Sequence, residues 1–197
     1  MIVKKFAYMA ILTALAVIIY VAESWVPLPI PIPGVKLGLA NTITLFALFY
    51  KYPTKQPSPL PVPHGENTPW RSAKTSQASA SIADTFTILV ARILIGSLLT
   101  GRFIAFAYSL TGGVFAFLAM LATKRLVTNK QVWVLGVIGA IFHNIGQLLM
   151  ATIVTGTPWI LTYLPILIIS GIITGALTGM IAQLTLLRIM KNKSVDI

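Results

Sequence analysis

The amino-acid sequence predicts an all-α membrane protein, a single transmembrane domain of six helices over residues 1–197. Three observations carry that expectation. Hydrophobic residues make up 56% of the chain and charged residues only 10%, against roughly 25% charged in ordinary soluble domains. The apolar residues fall in long continuous runs, where a β-barrel would alternate. Several of those runs reach the length needed to cross roughly 30 Å of hydrocarbon, about 20 residues each, and mean hydropathy is +0.86.

The first run, residues 6–22, follows Lys4 and Lys5. A secretory leader has the same basic start, and Ala22 and Ser24 are small enough for cleavage. The run is long for a leader's apolar core, however, so it reads as a retained helix. Next comes ESWVPLPIPIPGVKLGLAN, Glu23 to Asn41, with proline at 27, 29, 31 and 33. Proline holds φ near −65° and pushes the residue before it out of the helical region, so Val26 to Pro33 is expected to be extended. That makes a rod of about 25 Å at roughly 3.1 Å per residue, with the missing N–H donors all on one edge. Gly34 permits the turn back into the membrane, and the segment reads as a lid on the outer face.

The second helix, 37–50, is short for a full crossing. Residues 51–83 are polar and rich in Pro and Ser with no apolar period, which predicts a flexible cytoplasmic loop between helices 2 and 3; His64 and Glu66 within it read as solvated side chains. Hydropathy then gives helices over 84–100, 103–123, 132–154 and 159–187. A cytoplasmic N-terminus places twelve of the fifteen basic residues inside, leaving Lys36, Arg92 and Arg102 elsewhere, in keeping with the positive-inside rule. Topology thus accounts for most of the net charge of +11 without nucleic acid as a partner, and places a multi-pass protein in the cell membrane with both termini cytoplasmic. The absence of cysteine rules out disulfides and thiolate metal sites in the chain.

Polar groups inside the spans are the candidates for function, since ionisable residues cost about 2.5–3.5 kcal/mol each on insertion scales and usually face a cavity or a partner. Arg92 lies near the middle of the third helix. His143, Asn144 and Gln147 lie mid-helix in GAIFHNIGQLLMA, and at 100° per residue they share one face. The expected site is a cavity with Arg92 as its positive centre, lined by these three and by Glu23, Lys36 and Asn41 from the lid and its roots, with Trp25 and Tyr108 stacking on a ring of the ligand. The alternative is a closed structural network in which Arg92 pairs with Glu23 or Asp84 and the amides join helices. Gly171, Gly175 and Gly179, spaced by four, predict a close helix contact, as do Gly112 and Gly113. Ala10 and Ala14 form an AxxxA face on the first helix.

The strings VPLPIPIPGVKLGLAN, ARILIGSLLTG, YSLTGG, HNIGQL and ITGALTG, in this order, resemble the Gx transporter family. That family is similar to the substrate-binding S components of energy-coupling factor (ECF) transporters, and is also labelled heptaprenyl diphosphate synthase component I. The resemblance covers nearly the whole chain except about 53–83, which looks like an insertion. It implies an S-component-like six-helix bundle whose first outer loop closes a pocket, with Ala10 and Ala14 meeting a coupling subunit and ATPases supplied by partners. The implied function is uptake of a small polar or anionic organic molecule. The second label implies an accessory membrane subunit in isoprenoid or quinone synthesis. Catalysis of prenyl diphosphate formation uses Mg²⁺ on clustered carboxylates. The four acids here, Glu23, Glu66, Asp84 and Asp196, are scattered. No enzyme activity, metal or cofactor is therefore expected, and in the absence of a nucleotide-binding Gly-rich motif any use of ATP falls to partners.

Overall fold

The structure is a computed structural model and describes residues 2–25, 36–54, 76–79, 82–128 and 131–193. Six α-helices account for nearly all of it: α1 (Ile2–Glu23), α2 (Asn41–Phe49), α3 (Ile82–Thr100), α4 (Phe103–Thr123), α5 (Val132–Thr155) and α6 (Leu164–Lys193). Five of them, all but α2, are long and apolar enough to cross a membrane. The proline segment expected to form the lid, Val26 to Pro33, lies outside the described residues.

Helix boundaries follow local chemistry. Gly101 and Gly156, both at φ +63°, end α3 and α5 in the left-handed conformation that glycine adopts without steric cost. The expected helix over 159–187 instead begins as a 3₁₀ segment, Pro158–Tyr163, and becomes α-helical at Leu164. Pro165 explains the change: it supplies no N–H to Leu161 and its ring crowds that carbonyl, so the α-helix cannot run back through it. The second helix starts at Asn41 rather than near residue 37, because Gly38 at φ +78° interrupts the helical backbone. In the polar loop, Lys51–Thr54 pairs antiparallel with Ser76–Ser79, with Lys51 opposite Ser79 and Thr54 opposite Ser76. Backbone pairing therefore needs no apolar period here, and the unstructured loop expected over 51–83 is closed at its base; residues 55–75 and 80–81 lie outside the described residues.

Two seams bring helix backbones together. A Cβ on Gly136 of α5 would lie 2.5 Å from the Gly175 carbonyl oxygen and 2.6 Å from Gly179 Cα on α6, so only glycine fits on both sides. Gly171 faces the Asn144 amide of α5 in the same way. On the other flank, a Cβ on Gly146 of α5 would come within 2.9 Å of Gly112 Cα on α4. Both glycine groups expected from spacing therefore mark close helix contacts, which in a lipid-like environment rest on van der Waals contact rather than on a hydrophobic gradient.

Polarity is distributed inside out. Leu98, Ile166 and Ile181 point outward and are largely exposed, while Arg92, His143, Asn144 and Gln147 are buried. One half of the bundle is filled by an apolar core of Leu12, Leu45, Leu48, Ile88, Met120, Leu135 and Leu186. The ends of α4 fix how the chain runs past it. At its start, Arg102 Nη1 donates to the Ser24 carbonyl at 3.2 Å; just past its end, Lys124 Nζ donates to the Leu48 carbonyl at 2.7 Å. Ser24 and Leu48 thus sit at opposite ends of the bundle, although α2 itself is only nine residues, about 13 Å at 1.5 Å per residue. Helix α2 therefore begins within the bundle, and the backbone that precedes it, Lys36 to Ala40, is irregular and largely buried. Irregular backbone at membrane depth is tolerated only where protein surrounds it or it lines a cavity.

Candidate functional site

The site is built where α1 ends and α2 begins. Glu23, the last residue of α1, is 5% exposed, and its carboxylate accepts a hydrogen bond from the Gly38 backbone N–H. That bond pins the irregular segment against α1. Gly38 has to be glycine twice over: its φ is +78°, and a Cβ there would meet the His143 ring at 2.7 Å. Lys36 lies across the Tyr20 ring, with Nζ 3.2 Å from the ring centroid and 3.4 Å from the Tyr20 carbonyl, to which it donates. Cation–π attraction of this kind strengthens as water is excluded. The Lys36 backbone N–H donates to Gln147 Oε1 at 3.2 Å, tying the segment to α5.

Arg92 projects from α3 toward the start of α2, where its Nη2 donates to Asn41 Oδ1. Among the described residues no carboxylate lies within ion-pair distance of Arg92: Asp84, one expected partner, pairs with Lys5 at 2.8 Å, and Glu23 is not within 4 Å. The closed Arg–carboxylate pair of the alternative expectation is not what the chain builds. Tyr20, Glu23, Lys36, Gly38, Ala40, Arg92, Ile93, Ser109 and His143 line a cavity of about 10 Å³, room for roughly one water centre. Gly38 also lines a second hollow of the same size, with Asn41, Thr42, Thr174 and Thr178.

Six buried side-chain atoms have no hydrogen-bond partner among the described residues: Asn41 Nδ2, Thr44 Oγ1, Arg92 Nε, His143 Nδ1, Asn144 Oδ1 and Gln147 Nε2. A buried polar atom left without a partner costs about 1–3 kcal/mol. Asn41, Arg92 and His143 line the two hollows and Gln147 bonds the Lys36 backbone beside them, whereas Asn144 faces α6 and Thr44 lies a turn further along α2; four of the six atoms are thus gathered at one place in the fold.

Of the residues expected to form the site, Glu23, Lys36, Asn41, Arg92, His143 and Gln147 are brought together. Asn144 turns to the other side of α5, where its Nδ2 donates to the Leu167 carbonyl at 2.6 Å, joining α5 to α6. The arc shared by 143, 144 and 147 is wide enough to straddle two neighbours. Trp25 is 80% exposed beyond the end of α1, and Tyr108 packs with Leu148, Ala151 and Leu167 in an apolar cluster, so neither ring lines the cavity. Ala10 and Ala14 lie exposed on the outer face of α1. Three contributors escaped the sequence reading: Tyr20, whose hydroxyl bridges Ser97 at 2.8 Å and Ser109 at 3.1 Å, and those two serines. The spacing of Tyr20 and Glu23, three apart on one helix, was the available signal. No group of three His, Asp or Glu converges among the described residues in a way that could hold a metal ion.

Comparison with known proteins adds one relationship. The family model described as heptaprenyl diphosphate synthase component I matches residues 12–57 and 75–185, a span that includes every residue of the cavity wall and omits the middle of the polar loop. No curated protein and no solved structure matches the chain.

Proposed function

The chain belongs to the heptaprenyl diphosphate synthase component I family, and from that membership we propose that it is a membrane-embedded binding component, not a catalyst. It holds the polar end of a small molecule between α1, α2, α3 and α5, and works with partner subunits. The observation that carries this reading is the concentration of buried, unanswered polar atoms around Arg92 and His143. In a bundle whose outer faces are apolar, nothing about folding asks for such a centre.

Uptake is the use we favour, with the chain as the substrate-binding subunit in the manner of ECF S components. The ligand reaches the site from outside, and a coupling subunit and ATPases supply the energy; the exposed Ala10–Ala14 face of α1 is the docking surface in this scheme. The membrane is the cell membrane, and both chain termini are cytoplasmic. The family description supports a second use, as the membrane subunit of a prenyl diphosphate synthase. Carboxylate chemistry weighs against a catalytic role within it: among the described residues the only acids are Glu23, which accepts from a backbone N–H, and Asp84, which is paired with Lys5.

The test is purification of the full chain in mild detergent, followed by mass spectrometry of copurifying small molecules, with Arg92→Ala in parallel. The expected result is a defined molecule retained by the parent and lost from the variant. Prenyl diphosphate turnover restored to a soluble partner by adding this chain, with no water-soluble ligand retained, would establish the second use. A folded parent that retains no ligand and restores no turnover would sink both.

A further inference from the structure

The hydrogen-bond polarity of the site specifies the kind of group it receives. An arginine and a backbone N–H can only donate, so their bonds fix the two amides that answer them. Asn41 must turn its oxygen to Arg92, which leaves Nδ2 as a donor with nothing to meet. Gln147 must turn its oxygen to the Lys36 N–H, which leaves Nε2 in the same position. Arg92 Nε, also a compulsory donor, is the third. Among the described residues three buried compulsory donors on three different helices are therefore unanswered; of the other unanswered atoms, His143 Nδ1 and Thr44 Oγ1 can take either role and Asn144 Oδ1 belongs to a side chain turned toward α6. A water molecule brings two donors along with its acceptor sites, so it shifts this surplus without removing it. Formal charge points the same way: two buried cations, Lys36 and Arg92, stand against one buried carboxylate, Glu23. The N-terminal end of α2 lies beside them, its first N–H groups closed on the Gly38, Leu39 and Ala40 carbonyls, and adds the positive end of its dipole.

We propose that the site, opened beyond the water-sized hollow that Arg92 and Lys36 line here, selects a singly charged, acceptor-rich head, a carboxylate or a phosphoryl monoanion, seated against those two cations and answering the neighbouring N–H groups of Asn41 and Gln147. The proposal rests on the reading of the chain as a binding component and adds the chemical class of what is bound. A neutral amide carries donors into a site already short of acceptors, and a cation meets two like charges. The same head group can arrive on a water-soluble molecule or on a membrane-resident prenyl phosphate.

The experiment uses the full chain in nanodiscs of zwitterionic phosphatidylcholine at about pH 5.5, where a phosphomonoester with a second pKa near 6 is mainly a monoanion, and follows thermal unfolding with four soluble probes: acetate, methyl phosphate, acetamide and ethylammonium. A second arm places farnesyl monophosphate in the bilayer. Acetate or methyl phosphate is expected to raise Tm, with acetamide and ethylammonium inert. In Arg92→Gln the apparent affinity for the anion falls about tenfold, the scale of one charge-assisted hydrogen bond. Asn41→Asp is the complementary variant, since it installs a carboxylate within the site and exchanges a surplus donor for an acceptor; the anion-dependent Tm shift disappears in it. Protection by farnesyl monophosphate with none from the soluble anions assigns the head to a lipid, and the reverse assigns it to a solute. Equal protection by acetamide or ethylammonium, or a full anion shift persisting in Asn41→Asp, overturns the charge assignment and leaves the binding reading standing. Protection by no probe in either arm overturns both.

Discussion

Lys36 lies over the Tyr20 ring, with Nζ 3.2 Å from its centroid, and lines the same hollow as Arg92 and Glu23. In the proposed site it attracts the anion by charge. Lys36→Met keeps the apolar stem and removes that charge, and is expected to weaken acetate binding by about tenfold, the scale of one charge-assisted contact. Binding to the full chain in nanodiscs reads the change, and unchanged affinity in Lys36→Met would remove Lys36 from the site. At this scale the sequence was most legible where a residue was out of place: Arg92, His143 and Gln147 stand out in apolar runs because burying them is expensive. Tyr20, Ser97 and Ser109 did not, since hydroxyls are unremarkable in membrane helices. Trp25 was misplaced because composition shows that an aromatic is near a site in sequence but not which way the chain leaves the helix.

Among the elements, the α5–α6 seam has the least tolerance. A Cβ on Gly175 would lie 2.6 Å from the Gly136 oxygen and 2.7 Å from Val137 Cα, both backbone atoms that cannot rotate away. Gly175→Val is expected to lower unfolding stability by about 1–3 kcal/mol, the usual range for overpacking, read as the midpoint of denaturation by SDS in mixed micelles. Ile173→Leu, exposed on the same helix, should stay within about 0.5 kcal/mol of the parent. An unchanged midpoint in Gly175→Val would mean that the helices are not held at this distance. Spacing alone disclosed this seam because a four-residue glycine repeat has one geometric use on a helix. The start of α2 was less legible: hydropathy runs smoothly through Leu37 to Tyr50, and only the backbone conformation of Gly38 shows where the helix begins. The short ladder joining Lys51–Thr54 to Ser76–Ser79 was invisible for a related reason, since it rests on main-chain pairing and not on side-chain pattern.

For the whole molecule, hydropathy found the long helices to within a few residues, apart from the last, expected over 159–187 and formed over Leu164–Lys193, but could not say whether the short one completes a pass. The two hydrogen bonds flanking α4 bear on that question. They put Ser24 at one end of the bundle and Leu48 at the other, so the stretch holding α2 counts as a traverse despite its length. Because the chain has no cysteine, single replacements report topology without background. With the proposed orientation, Trp25→Cys reacts with an impermeant maleimide in intact cells, whereas Val3→Cys and Arg125→Cys react only after permeabilisation. Labelling of Val3→Cys and Trp25→Cys from the same side would contradict a crossing by α1.

That half-length traverse also decides parity. Five long helices alone are an odd number of passes and would leave the first and last turns of the bundle in different compartments. Counting the stretch through α2 as a pass, as the proposed topology does, makes the number even. In the proposed topology a fluorescent tag on either tail glows in the same compartment, and a single cytosolic protein could grip both tails at once.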